Sequence, residues 1–142
     1  VLPASHPWRE RPAIGVKELA EEPVLMLGAG HCFREQVLSA CPDCRRAAAA
    51  DDHLGRAMEG GSLETIRHMV ASGLGITVLP CTASGADRYA QRLLVLKRFK
   101  PPVPRRRVAL AWRAGFYRPQ AVAVLAKAIR ACKLSCVEFV GK

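Results

Sequence analysis

Two short apolar runs constrain the fold of this chain more than any other feature. Val24-Leu-Met-Leu27 and Ile76-Thr-Val-Leu79 are each closed off by proline and glycine, with Pro23 and Gly28 around the first and Gly75 and Pro80 around the second. Runs of this kind read as buried strands, and strands buried on both faces belong to sheets covered by helices. A helix signal precedes the second run. Ser62 is short, polar and suited to an N-cap, and Glu64 lies in the first turn. Leu63, Ile66, Met69 and Val70 fall on one face at helical spacing, and Gly73 suits the position just past the helix end. A helix-turn-strand unit of this kind needs a sheet to pack on, so the sequence predicts an α/β fold.

The first run leads into Gly28-Ala-Gly-His-Cys-Phe-Arg-Glu-Gln-Val-Leu-Ser-Ala-Cys-Pro-Asp-Cys44. The glycines make a turn and the residues after them suit a helix. Cys32 then falls at a strand-to-helix junction, near the positive end of the helix dipole, where a thiolate is favoured. His31 beside it adds positive charge when protonated. Cys41 follows nine residues later. If the intervening segment is helical, the two Cα atoms stand about 13 Å apart, whereas a disulfide needs about 4.4–6.8 Å. A bond between them requires the helix to unwind or bend. Closing that loop constrains the unfolded chain by roughly 2.7 kcal/mol in the entropy treatment, comparable to remaking one short helix. Such a bond is a switch rather than a staple. Cys44 lies close enough to compete with Cys41 as the resolving thiol.

Composition narrows the class. The 142 residues suffice for one sizeable core, half of them are hydrophobic, and no run approaches the ~20 apolar residues of a membrane span. No secretory signal is visible at the N-terminus, and the six cysteines are irregularly spaced, so cytoplasmic thiols are expected rather than a disulfide scaffold. The net charge of +10 permits attraction to nucleic acid. The basic residues are scattered, however, without an aromatic platform or a helix-turn-helix pattern, so direct DNA contact by this chain is not expected.

Taken in order, Pro3 and Pro7 make the start extended or turn-like, with Trp8 as a packing residue. Gly15–Glu22 suits a short helix. His53 is expected in solvent. Cys81–Arg92 reads as a short helix or loop, Leu93–Leu96 as a strand, and Lys100-Pro-Pro-Val-Pro104 as a stiff crossover. Val108–Trp112 reads as a strand. Pro119–Cys136 reads as the last helix, with Val122, Leu125, Ala126, Ile129 and Cys132 along one stripe.

Three other chemistries compete with a redox pair. Gly28-Ala-Gly30 could cradle a phosphate, but the full dinucleotide fingerprint is missing. Cys41-Pro-Asp-Cys44 has the spacing of zinc knuckles and of redox motifs, and Cys132 and Cys136 share a helix face. Nothing in the sequence brings the two pairs together, so neither a metal nor a cofactor is expected. A Cys-His hydrolase is the weakest reading, because such partners come from distant segments and His31 adjoins Cys32.

At Gly30-His-Cys-Phe-Arg-Glu-Gln36, with a second Cys nine residues after the first, the chain resembles the OxyR-type, hydrogen-peroxide-sensing LysR-family transcriptional regulators. Ser5-His-Pro-Trp8, Ser62–Val70 with Ala71–Pro80, and Pro104-Arg-Arg-Arg-Val-Ala-Leu-Ala-Trp-Arg113 carry the resemblance across nearly the whole chain. It implies a periplasmic-binding-protein-like LysR effector domain, with residues 1–22 as a crossover from subdomain one. Residues 23–98 would form subdomain two, and residues 99–142 the return segment of subdomain one. The DNA-binding winged helix, the linker and the first half of subdomain one would lie outside this chain. The resemblance places a strand near Leu54–Met58 and implies a regulator rather than an enzyme. Cys32 would be oxidised by hydrogen peroxide with His31 assisting, Cys41 would close a Cys32–Cys41 disulfide, and a cellular dithiol would reset it. Homodimer or homotetramer assembly follows, with promoter DNA and RNA polymerase engaged only through the full-length protein and no membrane contact. The alternative is a small-molecule inducer held near Ser62, Thr77 and Arg106.

Overall fold

The structure is a computed structural model that describes residues 1–44, 59–84, 92–134 and 136–140. Two compact units divide the chain, Val1–Arg105 and Arg106–Lys142.

The first unit is built on a parallel three-stranded sheet. Its central strand, β3, is Val24–Leu27, flanked by β4 at Glu59–Gly60 and β5 at Ile76–Thr77. Met26 and Leu27 align with Glu59 and Gly60, and Val24 and Leu25 with Ile76 and Thr77. Successive side chains of a strand point to opposite faces, and β3 uses both. Met26 packs with Val37 and Leu38 of helix α1 (Cys32–Ala40), whereas Leu25 and Leu27 pack with Ile66 and Val70 of helix α2 (Leu63–Ala71). The apolar run is therefore buried by one helix on each side, which is why it shows no polar alternation. Gly75 makes the close approach of β5 to β3 possible. Its φ is +157°, and a Cβ there would stand 2.3 Å from the carbonyl oxygen of Pro23, the group that accepts the Ile76 amide at 2.9 Å.

Two small ribbons complete this unit. Strand β1 (Leu2–Pro3) runs antiparallel to β6 (Leu94–Val95), and β2 (Ala13–Ile14) runs parallel to β7 (Arg98–Phe99). Trp8 is buried, as expected of a packing residue, in a 3-10 turn over Pro7–Glu10. Gly15–Glu22 yields a 3-10 turn at Lys17–Glu21 rather than a full helix. Glu18 in that turn is a hub. It accepts hydrogen bonds from Arg11 at 2.6 Å, from the Gly15 amide at 3.2 Å and from Lys100 at 3.1 Å. These bonds pin the end of β7 to the loop after β2.

Ser62 caps α2 as the sequence indicates, accepting the Thr65 amide at 3.1 Å, and Gly73 follows the helix at φ +81°. Helix α3 is one turn, Cys81–Ser84. His53 and the strand expected at Leu54–Met58 lie outside the described residues; β4 begins at Glu59.

The second unit holds helix α4, Pro119–Ala131. It stops short of Cys136. The Cys132 amide closes on the Ile129 carbonyl at 3.1 Å and the backbone then turns extended. Of the expected stripe, Val122 and Ala126 are half-buried and Leu125, Ile129 and Cys132 are exposed. Val108–Trp112 is not a strand. Apolar alternation gives strand propensity, but a strand exists only when a neighbour supplies ladder hydrogen bonds, and no described strand pairs with this segment.

Candidate redox site

The cysteine site is built from the carboxyl end of β3 outward. The chain leaves β3 through Gly28, whose amide donates to Gly60 at 3.2 Å, and turns at Gly30 with φ +93°. His31 is the N-cap residue of α1 and Cys32 is its first helical residue. Both are exposed. The His31 side chain makes no capping hydrogen bond, in contrast to Ser62 on α2. A side-chain cap is worth about 1 kcal/mol, so α1 begins with a weaker end than its neighbour.

Cys41 sits at the other end of the same helix. It is the C-cap residue, with its amide donating to Val37 at 2.9 Å, and it is 2% exposed. Nine residues of helix put the two Cα atoms about 13 Å apart. Cys44 is equally buried beside it, with its amide donating to the Cys41 carbonyl at 3.2 Å. Burial, followed by a hydrogen bond with the Cys41 thiol, pushes the Cys44 thiol up to about 12. All three of these cysteines are free thiols. The structure thus brings Cys41 and Cys44 together and holds Cys32 apart from them.

Sequence reasoning missed the group that anchors the start of α1. Arg34 Nη1 donates to the Leu27 carbonyl at the end of β3, at 3.0 Å, and pairs with Glu59 Oε1 on β4. A cation in the first turn of a helix opposes the helix dipole. That mismatch is the sequence signal that points to a compensating partner.

The expected ligand-binding residues Ser62 and Thr77 have structural roles. Ser62 Oγ caps α2 and contacts Thr65 Oγ1 at 3.0 Å. Thr77 is buried, and its hydroxyl donates to Leu25 at 2.7 Å. Arg106 is exposed and opens the second unit. A cavity of about 10 Å³ is lined by Leu25, Leu27, Phe33, Val37, Ile66 and Thr77. It has room for roughly one water molecule.

The four-thiolate zinc set fails on one member, because Cys136 is disulfide-bonded, as is Cys81. Among the described residues no three His, Cys, Asp or Glu side chains gather as a metal site.

A parallel sheet with helices on both faces is an open α/β layer, and in such sheets ligands meet the protein at the carboxyl ends of the strands, which is where Cys32 lies. The profile of the LysR substrate binding domain matches residues 1–132, and the chain belongs to that family. Its relatives are named as peroxide regulators. The DNA-binding transcriptional dual regulator OxyR of Escherichia coli (strain K12) is 41% identical over 126 residues, covering 89% of this chain and 39% of the relative. A probable hydrogen peroxide-inducible genes activator of Streptomyces viridosporus is 37% identical over 130 residues, covering 92% and 40%. The reduced form of the OxyR regulatory domain from Pseudomonas aeruginosa superposes with a TM-score of 0.77 at 47% identity, covering 92% of this chain and 60% of that one. A reduced form of OxyR from N. meningitidis gives 0.84 at 39% identity, covering 99% and 63%. The chain spans about two fifths of the length of the curated relatives it matches. These similarities bear out the periplasmic-binding-protein-like LysR effector fold expected from the sequence.

Proposed function

We propose that this chain is the sensing part of a hydrogen-peroxide-responsive transcription regulator, with Cys32 as the peroxidatic thiol and Cys41 as the resolving thiol. The observation that carries the reading is α1 itself: an exposed cysteine at its first residue, a buried one at its C-cap, and few groups holding the helix between them.

Cys32 thiolate attacks one peroxide oxygen. The O–O bond breaks, an S–O bond forms, and the other oxygen leaves as hydroxide that becomes water. The product is a sulfenic acid. Cys41, as thiolate, then attacks the Cys32 sulfur. The S–S bond forms and the S–O bond breaks, releasing the oxygen as a second water. His31, adjoining Cys32, orients the peroxide or takes part in its proton transfers. A cellular dithiol resets the pair by exchange.

The second step cannot happen with α1 intact, because about 13 Å must shrink to about 4.4–6.8 Å. A helix of nine residues depends on tertiary packing for its stability. Here the buried contribution comes from Val37 and Leu38, each worth about 1.5–3 kcal/mol. Together that is about 3–6 kcal/mol, equivalent to roughly 65–130 mV in the reduction potential of a two-electron couple. Unwinding α1 changes the surface at the carboxyl end of the sheet, and subunit packing in the regulator responds. Promoter DNA and RNA polymerase are engaged by other parts of the full-length protein, which acts as a cytoplasmic homo-oligomer. Among the described residues no helix is long and apolar enough to cross a membrane.

The test is peptide mapping after one equivalent of hydrogen peroxide. A cross-link joining the peptides of Cys32 and Cys41, lost in Cys32→Ser, is the expected result. Unmodified thiols at both positions would refute the reading and favour an inducer-binding domain. In that case a small-molecule ligand should still raise the melting temperature of a variant with every cysteine replaced by serine.

A further inference from the structure

Cys44 is a buried nucleophile that the sensing reaction leaves unused. It lies three residues beyond Cys41, across a proline that fixes the turn, in the sequence Cys41-Pro-Asp-Cys44. Its amide closes the turn on the Cys41 carbonyl at 3.2 Å, and both thiols are free and 2% exposed in one core cluster. One turn of helical backbone puts side chains three apart about 5–6 Å from each other at Cβ, and vicinal C-x-x-C pairs are a recurrent redox arrangement. The chain geometry also outlasts any change in α1. Three residues span at most about 11 Å even when fully extended, so Cys44 stays within reach of Cys41 when Cys41 is drawn toward Cys32.

We propose that Cys44 makes the sensor disulfide self-limiting: it attacks the Cys32–Cys41 bond, transfers the disulfide to Cys41–Cys44, and frees Cys32. This inference rests on the sensing reading above. In the step, deprotonated Cys44 Sγ attacks Cys41 Sγ. The Cys41–Cys44 bond forms, the Cys32–Cys41 bond breaks, and Cys32 leaves as a thiolate that recovers a proton from solvent. No electron is gained or lost overall, so one equivalent of peroxide suffices.

The direction follows from what each bond requires. The Cys32–Cys41 disulfide keeps α1 unwound, with Val37 and Leu38 uncovered. The Cys41–Cys44 disulfide sits within one turn and lets α1 and the Arg34 anchor re-form. The departing Cys32 thiolate returns to a helix N-terminus, where the dipole favours an anion. Exchange depends on the thiolate fraction of the attacking sulfur. In the resting state burial, followed by the hydrogen bond with the Cys41 thiol, raises the Cys44 thiol to about 12, so Cys44 does not compete with Cys32 for peroxide. Transfer waits until the unwinding of α1 lifts that burial, a delay between activation and shut-off, and it quickens as pH rises while the protein stays folded. The product differs from the resting state in having an oxidised C-x-x-C pair and a Cys32 ready for a second peroxide.

Tryptic peptides separate the species directly. Residues 18–34 carry Cys32, and residues 35–45 carry both Cys41 and Cys44. The protein is treated with one equivalent of hydrogen peroxide, quenched with acid over time and mapped without reduction. The expected record is a cross-link between the two peptides that rises and then falls. The 35–45 peptide, 2 Da lighter, should replace it together with free Cys32. In Cys44→Ser, and independently in Cys44→Ala, the cross-link should last at least tenfold longer. A wild-type cross-link that forms and persists overturns the inference while leaving the sensing reading intact. The lighter 35–45 peptide appearing in Cys32→Ser also overturns it, because oxidation would then bypass Cys32. No oxidation at any of the three cysteines overturns both.

Discussion

Arg34 and Glu59 form an ion pair that joins the first turn of α1 to the start of β4, 25 residues away in sequence. The same guanidinium nitrogen also donates to Leu27 on β3, so one side chain fixes the start of α1 to two strands. The pair is partly exposed, at 20% and 32% for the two side chains, so solvent screening limits it to about 0.5–1 kcal/mol.

Glu59→Gln should loosen this anchor without touching a cysteine. The equilibrium between wound and unwound α1 should shift about two- to five-fold toward the unwound form for a loss of that size. The measurement is the rate of Cys32–Cys41 cross-linking at limiting peroxide, which should rise by a similar factor. A rate equal to or below the wild type would show that the pair does not restrain the helix.

Ser62→Ala and Thr77→Val test whether these hydroxyls serve the frame. The cap is worth about 1 kcal/mol, and the buried Thr77 bond to Leu25 about 0.5–1.5 kcal/mol. Urea denaturation midpoints should fall accordingly, with peroxide-driven cross-linking in the folded protein unchanged. A normal midpoint with altered response to a small molecule would return both residues to a ligand site.

Acid should act through Glu18. The Lys100 hydrogen bond, foremost, and the Gly15 amide hold its carboxyl below the usual range. A carboxylate depressed by folding contributes stability that is fully present above its unfolded pKa, about 4.3, and is lost as pH falls through the lower folded value. Glu18→Gln should therefore flatten the acid side of the stability–pH curve, while wild type and variant run parallel from pH 6 to 8. The readout is the denaturation midpoint measured between pH 3 and 8.

Much of this architecture was legible because burial writes itself into short patterns. Val24–Leu27 lacks polar alternation because α1 and α2 cover opposite faces, and Ser62 and Gly73 mark the ends of α2 by chemistry that few other residues supply. Cys32 was placed correctly because a glycine turn after a buried strand leaves little choice about where a helix begins. The Arg34–Glu59 contact was not legible, since it depends on two distant segments meeting at a strand end. Val108–Trp112 misled for the opposite reason: strand propensity is local, whereas pairing is not. The short reach of α4 belongs to the same class, because nothing in its composition marks Ala131 as the stop.

β3 is hydrogen-bonded on both sides, to β4 and β5, and neither ladder passes through α1. Helix α1 is therefore a removable cover on a stiff floor. Oxidation can rewrite the outer contour while the floor keeps its register, so amide deuterium uptake should rise along residues 33–40 and stay low along 24–27. Such a molecule would signal by a change of relief.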